Sequence, residues 1–384
     1  MHIVADENIP YAEEAFGRLG TVHRMPGRKI TRADLLQADA LIVRSITRVN
    51  ADLLRGTPVR FVGTCTIGED HVDKTWLADQ GIAFASAPGC NANSVADYVT
   101  AALLFLEARH GMRLRGASLG VVGIGNVGSR VVQRAKALGM RVVVNDPPRT
   151  ERDPGFTSEP LEAALACDFI TFHVPLEKSG AWPTWHMVDA ERLTQIRPES
   201  FLLNTSRGAV VDNQALLNHL KAGRLQGVVL DVWEGEPSPD PEMIRAVDIA
   251  TPHIAGYSFD GKVNGTRQVY EALCRHVGAT PDWDPAPLLP PPDCPEVTVN
   301  PDDPDALRQA VFAVYDIRQD DARTRPLADM ADPAERGAAF DHLRKNYPRR
   351  REFINTTARL NRYDERMATA LHGLGFNVVL PETP

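Results

Sequence analysis

Short apolar runs alternate with stretches of helical periodicity along most of this 384-residue chain. Residues 3–5, 40–43, 60–63 and 82–84 read as strands, and 12–19, 31–36 and 72–80 as helices. Such alternation gives an open α/β sheet. A long helix is predicted over 91–110, with Asn93 or Ser94 as its N-cap and Gly111 as its stop. Val95, Val99, Ala102, Leu103 and Leu106 run along its one apolar face. The rhythm then resumes. Strands are predicted at 119–122, 141–144, 168–173, 201–204, 227–231 and 248–251, with helices at 161–167 and 213–222 among them. The first series precedes the second and is expected to form a domain of its own.

The pattern changes further on. Residues 282–304 are crowded with proline, reading P-A-P-L-L-P-P-P-D-C-P over 285–295, and predict a semi-rigid linker. Beyond it, 304–315 and 333–346 read as helices and 376–380 as a terminal strand. This segment is too short to bury a large core alone. Leu371, Phe376 and Val378 therefore need a partner surface. Dimerisation is the expectation, against packing on the chain itself.

Composition narrows the class without altering the fold. Hydrophobic residues make up 43% and charged residues 24%, an ordinary globular profile. With 42 basic and 50 acidic side chains the net charge is −8, which gives no electrostatic footprint for nucleic acid or an anionic membrane. The five cysteines, Cys65, Cys90, Cys167, Cys274 and Cys294, are scattered without a C-x-x-C pair and suit reduced thiols in a cytoplasmic protein. The first residues read directly as a strand with no basic-then-apolar leader, and no apolar run approaches a membrane span.

The chemistry begins at 119–146, L-G-V-V-G-I-G-N-V-G-S-R-V-V-Q-R-A-K-A-L-G-M-R-V-V-V-N-D. A strand leads into Gly123, Gly125 and Gly128 at G-x-G-x-x-G spacing, with Asn126 and Val127 inside the turn. Val127, Val131, Ala135 and Leu138 then share one face of a helix. In such a unit the first glycine permits a tight turn, the second lets backbone approach a pyrophosphate, and the third lets helix and strand pack closely. The helix N-terminus faces the anion. A second strand ends at Asp146, about 20 residues on, where an acid holds a ribose 2′-hydroxyl and repels a 2′-phosphate. The predicted cofactor is NAD. Arg149 is the one feature favouring a 2′-phosphate, and Asp146 outweighs it. Alone, the glycine spacing is as often structural as functional. Strand, helix, second strand and acid together make it specific.

Polar residues gather just past successive strand ends, the edge at which open α/β sheets bind ligands. Oxidising a hydroxyl carbon requires a base for the hydroxyl proton, a group that orients the base, and a cation for the neighbouring carboxylate. His253, in T-P-H-I-A-G, is the candidate base, since histidine exchanges a proton near neutral pH. Glu236, in E-G-E-P, suits the fixing of its tautomer. Arg207, in T-S-R-G, offers a forked donor that stays charged. Each has a blander reading when taken singly: a packed loop histidine, a solvated acidic loop, an ordinary turn. Their shared position past the strands of one domain lifts them above it. His173 is read as structural or cofactor-adjacent. Asp231 is read either as approaching the nicotinamide or as capping the Glu236 loop. In the first domain, the loops at 43–48 (V-R-S-I-T-R) and 63–68 (G-T-C-T-I-G) suit a carboxylate or a phosphate. The alternative is that Ser45 and Thr66 only cap helices. The basic run at 347–351 suits either a substrate phosphate reached across a dimer or a solvated face. No metal is expected.

The motifs V-V-G-I-G-N-V-G, L-L-N-T-S-R-G-A-V-V-D, L-D-V-W-E-G-E-P and T-P-H-I-A-G resemble those of the D-isomer-specific 2-hydroxyacid dehydrogenases, and the resemblance covers residues 1 to about 275. It implies that Arg207, Glu236 and His253 are catalytic. It implies an α/β fold in which a Rossmann-type NAD domain (93–257) is inserted in a flavodoxin-like substrate domain (1–92 and 258–285). A small α+β C-terminal dimerisation domain (286–384) follows. NAD contacts are implied at Gly123, Gly125, Asn126, Val127, Gly128, Asp146, Asp231 and Gly256, with Val174 or Pro175 beside them. Substrate contacts are implied at Arg44, Ser45, Thr66 and Tyr257. Tyr257, in H-I-A-G-Y-S-F-D-G-K, stands where most of the family carries a small or hydroxyl residue. Cys65 and Ile67 depart from the usual alanine and glycine. The implied activity is NAD-dependent oxidation of a phosphorylated 2-hydroxyacid by a cytoplasmic homodimer. Its rivals are the same chemistry on another acid, such as 3-phosphoglycerate, and an NAD-sensing protein without turnover. Intact Arg207, Glu236 and His253 disfavour the sensor.

Overall fold

The computed structural model describes residues 1–381. The chain divides into two compact units, Met1–Asn91 with Ser258–Pro290, and Ala92–Tyr257 with the chain from Pro291 onward.

The first unit is built on five parallel strands: β1 (His2–Asp6), β2 (Thr21–Met25), β3 (Ala40–Val43), β4 (Phe61–Thr64) and β5 (Ala83–Ala85). Their order, β2-β1-β3-β4-β5, is the flavodoxin-like one. β3 and β4 are buried along their whole length, which is why they read as unbroken apolar runs. β2 escaped that pattern. Its T-V-H-R-M is a largely exposed edge that pairs with β1 from His2↔Thr21 to Asp6↔Met25 and buries little. The predicted 31–36 helix is a short 3₁₀ turn, Arg32–Leu35, closed by a Thr31–Asp34 capping box. The returning helix Phe259–Val277 supplies Val263, Val269, Tyr270 and Leu273 to the core that holds Ile3, Phe16 and Phe61.

The second unit contains six parallel strands: β6 (Ser118–Val122), β7 (Arg141–Asn145), β8 (Phe169–Phe172), β9 (Phe201–Asn204), β10 (Gly227–Leu230) and β11 (Ile249–Ala250). Their order is β11-β10-β9-β8-β6-β7. The direction of strand addition reverses between β6 and β8. Their carboxyl ends therefore open the crevice in which such sheets bind ligands. The helix Ala92–His110 starts early enough that Asn93 and Ser94 lie inside its first turn instead of capping it; the Ser94 hydroxyl donates to the Ala255 carbonyl at 2.8 Å. This helix is also buried nearly all round, not on the single face expected, because Tyr98, Ala101 and Leu104 are covered as well. The sheet and the C-terminal segment share one core with it, and within the helix only Ala108 and Arg109, near its end, are exposed.

The C-terminal segment begins earlier than its prolines suggest. Glu296–Val299 forms β12, inside the expected linker, and pairs with β13 (Thr357–Leu360), which pairs with β14 (Asn377–Val379). The proline run stops at Pro295, so E-V-T-V keeps the N–H groups a ladder needs. All three strands are parallel and alternate with helices. Leu371 and Phe376 are fully buried alongside Phe353 in the core that includes the helices Ala92–His110 and Asn126–Ala137. The surface these residues need is thus supplied by their own chain, and no second copy is required to cover them. A buried ion pair pins the contact: Arg134 donates to the Asp97 carboxylate, which also accepts the Phe353 N–H at 3.2 Å. Among the described residues, no helix is long and apolar enough to cross a membrane.

Candidate active site

The glycine turn has the geometry its spacing implies. Gly123 lies at φ +90°, and a Cβ there would sit 2.6 Å from the His173 carbonyl oxygen. A Cβ on Gly128 would sit 1.9 Å from the Gly123 carbonyl oxygen. These two glycines let β6 turn and let the helix Asn126–Ala137 close upon it. Gly125 differs, because nothing lies within 4 Å of its missing Cβ. It is also the residue that precedes the first turn of the helix, formed by Asn126, Val127 and Gly128. Free space beside unpaired helix N–H groups fits a pyrophosphate.

Asp146 follows β7 and fixes itself beside this turn. Its Oδ2 accepts the Ile124 N–H at 2.7 Å and its Oδ1 the Arg149 N–H at 2.9 Å. Arg149 is tied down. It donates to the Ile124 carbonyl at 2.9 Å, and its guanidinium lies 4.4 Å from the centre of the Phe156 ring. After β8 come Val174, half-buried, and Pro175, exposed. His173 stands between two hydroxyls, Thr171 at 3.1 Å and Thr205 at 3.3 Å, and burial pushes its imidazole down to about 3. Its ring is neutral, and its carbonyl lies against Gly123 of the glycine turn.

His253 and Glu236 meet. Nδ1 of the histidine lies 2.8 Å from Oε2 of the glutamate, whose other oxygen accepts the Trp233 N–H at 2.9 Å. Burial works to raise the Glu236 carboxyl, but His253, the Trp233 N–H and Arg344 outweigh it and hold the group below the usual carboxylate range. An ionised acceptor at Nδ1 makes that nitrogen the donor and leaves the basic lone pair on Nε2.

His253 sits at φ +58°, uncommon for a residue other than glycine, and Asp231 is what holds it there. The His253 N–H donates to the Asp231 carbonyl at 2.7 Å. The Ile254 and Ala255 N–H groups donate to its carboxylate at 2.8 and 2.9 Å, and the Thr251 hydroxyl does so at 2.7 Å. Tyr98, from the long helix, backs Thr251 at 2.7 Å. Asp231 therefore caps the histidine loop, not the Glu236 loop.

Arg207 follows β9. Its Nη1 donates to the Ser206 carbonyl at 2.8 Å, and Asn204 donates to the Arg207 carbonyl at 2.9 Å. A Cβ on Gly208 would lie 2.0 Å from the Trp233 carbonyl carbon, so the Ser-Arg-Gly turn rests directly on the loop that carries Glu236. The structure thus brings the loops of Arg207, Glu236 and His253 together past β9, β10 and β11. Gly256 and Tyr257 follow the histidine, with the Tyr257 N–H donating to the Ile254 carbonyl at 2.8 Å.

Arg44, Ser45 and Thr66 belong to the first unit. They follow β3 and β4, which are neighbours (Val43↔Thr64), so the two loops lie side by side. Neither hydroxyl caps a helix: Asn50 caps Ala51–Leu54 and Asp73 caps Lys74–Asp79. The Thr66 hydroxyl instead meets Thr64 at 2.8 Å and the Gly68 carbonyl at 3.1 Å, and Ser45 is exposed.

The basic run divides, with Arg349 exposed. Arg350 and Arg351 are buried, and Arg350 stacks 4.1 Å from the Tyr315 ring while donating to the Ala255 carbonyl at 2.7 Å. Arg350 braces the histidine loop from behind. Sequence reasoning also missed Arg344, on the helix Pro333–Lys345, whose guanidinium lies 5.6 Å from the Tyr257 ring centre. No motif marks it, and its segment reads as remote from the site.

A parallel sheet with a glycine turn at its reversal point, and a histidine–carboxylate pair and an arginine past adjoining strand ends, define a nicotinamide-dependent dehydrogenase. The family model described as D-isomer specific 2-hydroxyacid dehydrogenase, NAD binding domain, matches residues 96–255, and one described as a domain of unknown function (DUF3410) matches 288–375. The chain is 51% identical to an erythronate-4-phosphate dehydrogenase of Cellvibrio japonicus, covering 99% of this chain and 100% of that one. It is 48% identical to the Serratia proteamaculans protein of the same name, covering 98% and 99%. Among solved structures, the TT0316 protein of Thermus thermophilus aligns with a TM-score of 0.63 at 29% identity, covering 73% of this chain and 98% of that one. A D-lactate dehydrogenase of Aquifex aeolicus, complexed with NAD and lactic acid, aligns at 0.60 and 25% identity, covering 72% and 95%. The chain belongs to the erythronate-4-phosphate dehydrogenase family, within the D-isomer-specific 2-hydroxyacid dehydrogenases, and is an NAD-dependent oxidoreductase.

Proposed function

We propose that this chain oxidises the C2 hydroxyl of 4-phospho-D-erythronate to 2-oxo-3-hydroxy-4-phosphobutanoate, in the synthesis of pyridoxal phosphate. The observation that carries the chemistry is the 2.8 Å contact between His253 and Glu236. The substrate rests on the near full-length likeness to relatives of that name. Bound NAD supplies the hydride acceptor. The residues that would hold it are Gly123, Gly125, Asn126, Val127 and Gly128 at the pyrophosphate and Asp146 at the ribose. Val174, Pro175, Asp231 and Gly256 line the remainder, with Asp231 acting through the loop it caps.

His253 takes the hydroxyl proton at Nε2 as the C2–H bond gives up its hydride. Glu236 keeps the other ring proton on Nδ1 and stabilises the imidazolium that forms. Arg207 pairs with the C1 carboxylate through its fork. Arg44, Ser45, Thr66 and Tyr257 contact the remainder of the substrate. In this reading the first unit is the substrate domain, 93–257 the NAD domain and 286–384 a dimerisation domain, in a cytoplasmic homodimer. Ile354, Tyr363 and Leu380 stand exposed on that last segment and support the dimer, and the free cysteines suit the compartment.

The test is turnover by the purified chain, read as growth of NADH absorbance over a panel of 2-hydroxyacids. 4-Phospho-D-erythronate should give the highest kcat/KM. Oxidation of 3-phosphoglycerate or D-lactate in its place would sink the substrate assignment. Light scattering after gel filtration tests the dimer, and a monomeric mass would remove it.

A further inference from the structure

We propose that Arg344, delivered by the C-terminal segment, is a positioning residue of the dehydrogenase reaction that seats Tyr257 and the Glu236–His253 pair. The inference rests on the catalytic roles given above to Glu236 and His253. Arg344 projects from the helix Pro333–Lys345, and its side chain is only 16% exposed. Its guanidinium lies between two rings, 5.6 Å from the centre of Tyr257 and 5.9 Å from that of Phe340, and it bonds the Tyr257 side chain. Its ion pair with Asp341 is loose at 3.9 Å, and its buried Nε has no hydrogen-bond partner among the described residues. A guanidinium this enclosed is not there for solubility. Its helix packs on the loop that carries Glu236: a Cβ on Gly337 would lie 3.4 Å from Pro237 Cγ, and Arg336 donates to the Ser238 hydroxyl at 3.1 Å, so the Arg344 charge is placed to favour the ionised form of Glu236.

The charged groups about the pair can be named. Glu236 meets His253 at 2.8 Å, the Trp233 N–H at 2.9 Å and the field of Arg344. Arg344 meets Tyr257, Glu236 and Asp341. Tyr257 follows His253 in the same loop, and Tyr347 stands edge-on to it at 6.0 Å. The C-terminal segment therefore reaches the histidine loop twice. Arg350 holds its Ala255 carbonyl, and Arg344 holds its Tyr257 ring and biases its acid partner. Arg350 is structural by this geometry, whereas Arg344 lies against Tyr257, in the loop that carries His253.

The experiment is the pH profile of kcat/KM for Arg344→Met and Arg344→Lys, with whichever 2-hydroxyacid the wild-type chain oxidises. If the wild type oxidises none, the functional reading has failed, and with it the premise. With a working substrate, Arg344→Met should lower kcat/KM about 10-fold or more. It should also move the acidic limb to higher pH by about one unit, because the proton on the Glu236–His253 pair is no longer opposed by a nearby cation. Arg344→Lys keeps the charge and should return the limb to its wild-type position. Asp341→Asn removes the competing anion from a half-buried, loosely paired site, so it should move the limb the opposite way even if Arg344→Met does not fold. A fall in activity with the limb unmoved in Arg344→Met overturns the proposal. So does a lysine variant that shifts as far as the methionine one, or a limb that rises in Asp341→Asn.

Discussion

The reaction proposed for this chain gives its proton transfer to two side chains, His253 and Glu236, and the 2.8 Å contact between them carries that proposal. Glu236 is held ionised, so replacing it by glutamine keeps the shape but withdraws the charge that steadies an imidazolium. Glu236→Gln should lower kcat by about 10²-fold to 10⁴-fold with NAD affinity unchanged. Stopped-flow turnover alongside fluorescence titration of the cofactor checks this, and an unchanged kcat would remove Glu236 from the pair. The same residue makes a prediction about stability. A carboxyl whose folded value is depressed adds stability that is present above its unfolded value and lost as pH falls through the folded one. Denaturant unfolding should therefore show the wild type more stable than Glu236→Gln above pH of about 4–5, with the two curves converging below that range. Arg207→Lys tests the third member. Its fork is anchored on the Ser206 carbonyl, and an ammonium cannot both keep that bond and meet a carboxylate side-on. Much of the pair was legible in the sequence, because E-G-E-P and T-P-H-I-A-G each follow an apolar run. What could not be read was that Asp231 caps the histidine loop. That depends on the left-handed turn at His253, which turns the Ile254 and Ala255 N–H groups onto one buried carboxylate.

At the scale of elements, the glycine turn separates two kinds of small residue that the motif writes with one letter. Gly128→Ala would drive a methyl group into the Gly123 carbonyl at 1.9 Å, a backbone atom with nowhere to go. It should destabilise the second unit by about 1–3 kcal/mol through overpacking. Gly125→Ala meets no protein atom within 4 Å, at a φ of −81° that alanine accepts. It should leave Tm unchanged and weaken NAD binding about tenfold or more, because the methyl group enters space the pyrophosphate needs. Calorimetric unfolding and NAD titration of both variants separate the cases. Equal loss of Tm in the two would mean that the space at Gly125 is not free. The strands read most directly, β3, β4, β8, β9 and β10, are buried on both faces, where apolar runs are unbroken. β2, β12 and β13 went unread: an edge strand such as T-V-H-R-M needs only its backbone, prolines hid the short E-V-T-V run that follows them, and T-A-R-L carries a charge in its middle. Of the C-terminal helices, Ala306–Val314 and Pro333–Lys345 were found, Ile317–Thr324 and Glu365–Gly373 were not, and neither was the partner surface. Periodicity says that a face must be covered, never by what.

At the scale of the molecule, what covers that face is the cofactor-binding unit itself, and Asp97 is where the cover can be tested. The Asp97 carboxylate is buried between the long helix, Arg134 on the dinucleotide helix, and the Phe353 N–H of the C-terminal segment. The Arg134 guanidinium also lies 5.3 Å from the centre of the Phe353 ring, so three stretches of chain distant in sequence meet at one ion pair. A buried pair of this kind is not in itself strongly stabilising, since both ions have been taken out of water. Breaking it is another matter. Asp97→Ala strands Arg134 without its counter-charge and takes an acceptor from Phe353, so it should cost about 3–5 kcal/mol and lower Tm accordingly. Replacing both ions, as Asp97→Leu with Arg134→Met, removes the stranded charge and should recover most of that loss. Only the part due to the unpaired Phe353 N–H should remain. If the double variant were as unstable as Asp97→Ala, the stability would lie in the pair's attraction and not in the desolvated arginine. If Asp97→Ala unfolded at the wild-type temperature, the C-terminal segment would not be held at this point at all. The contact would then have no hand in the core that keeps the histidine loop, through Arg350, in place.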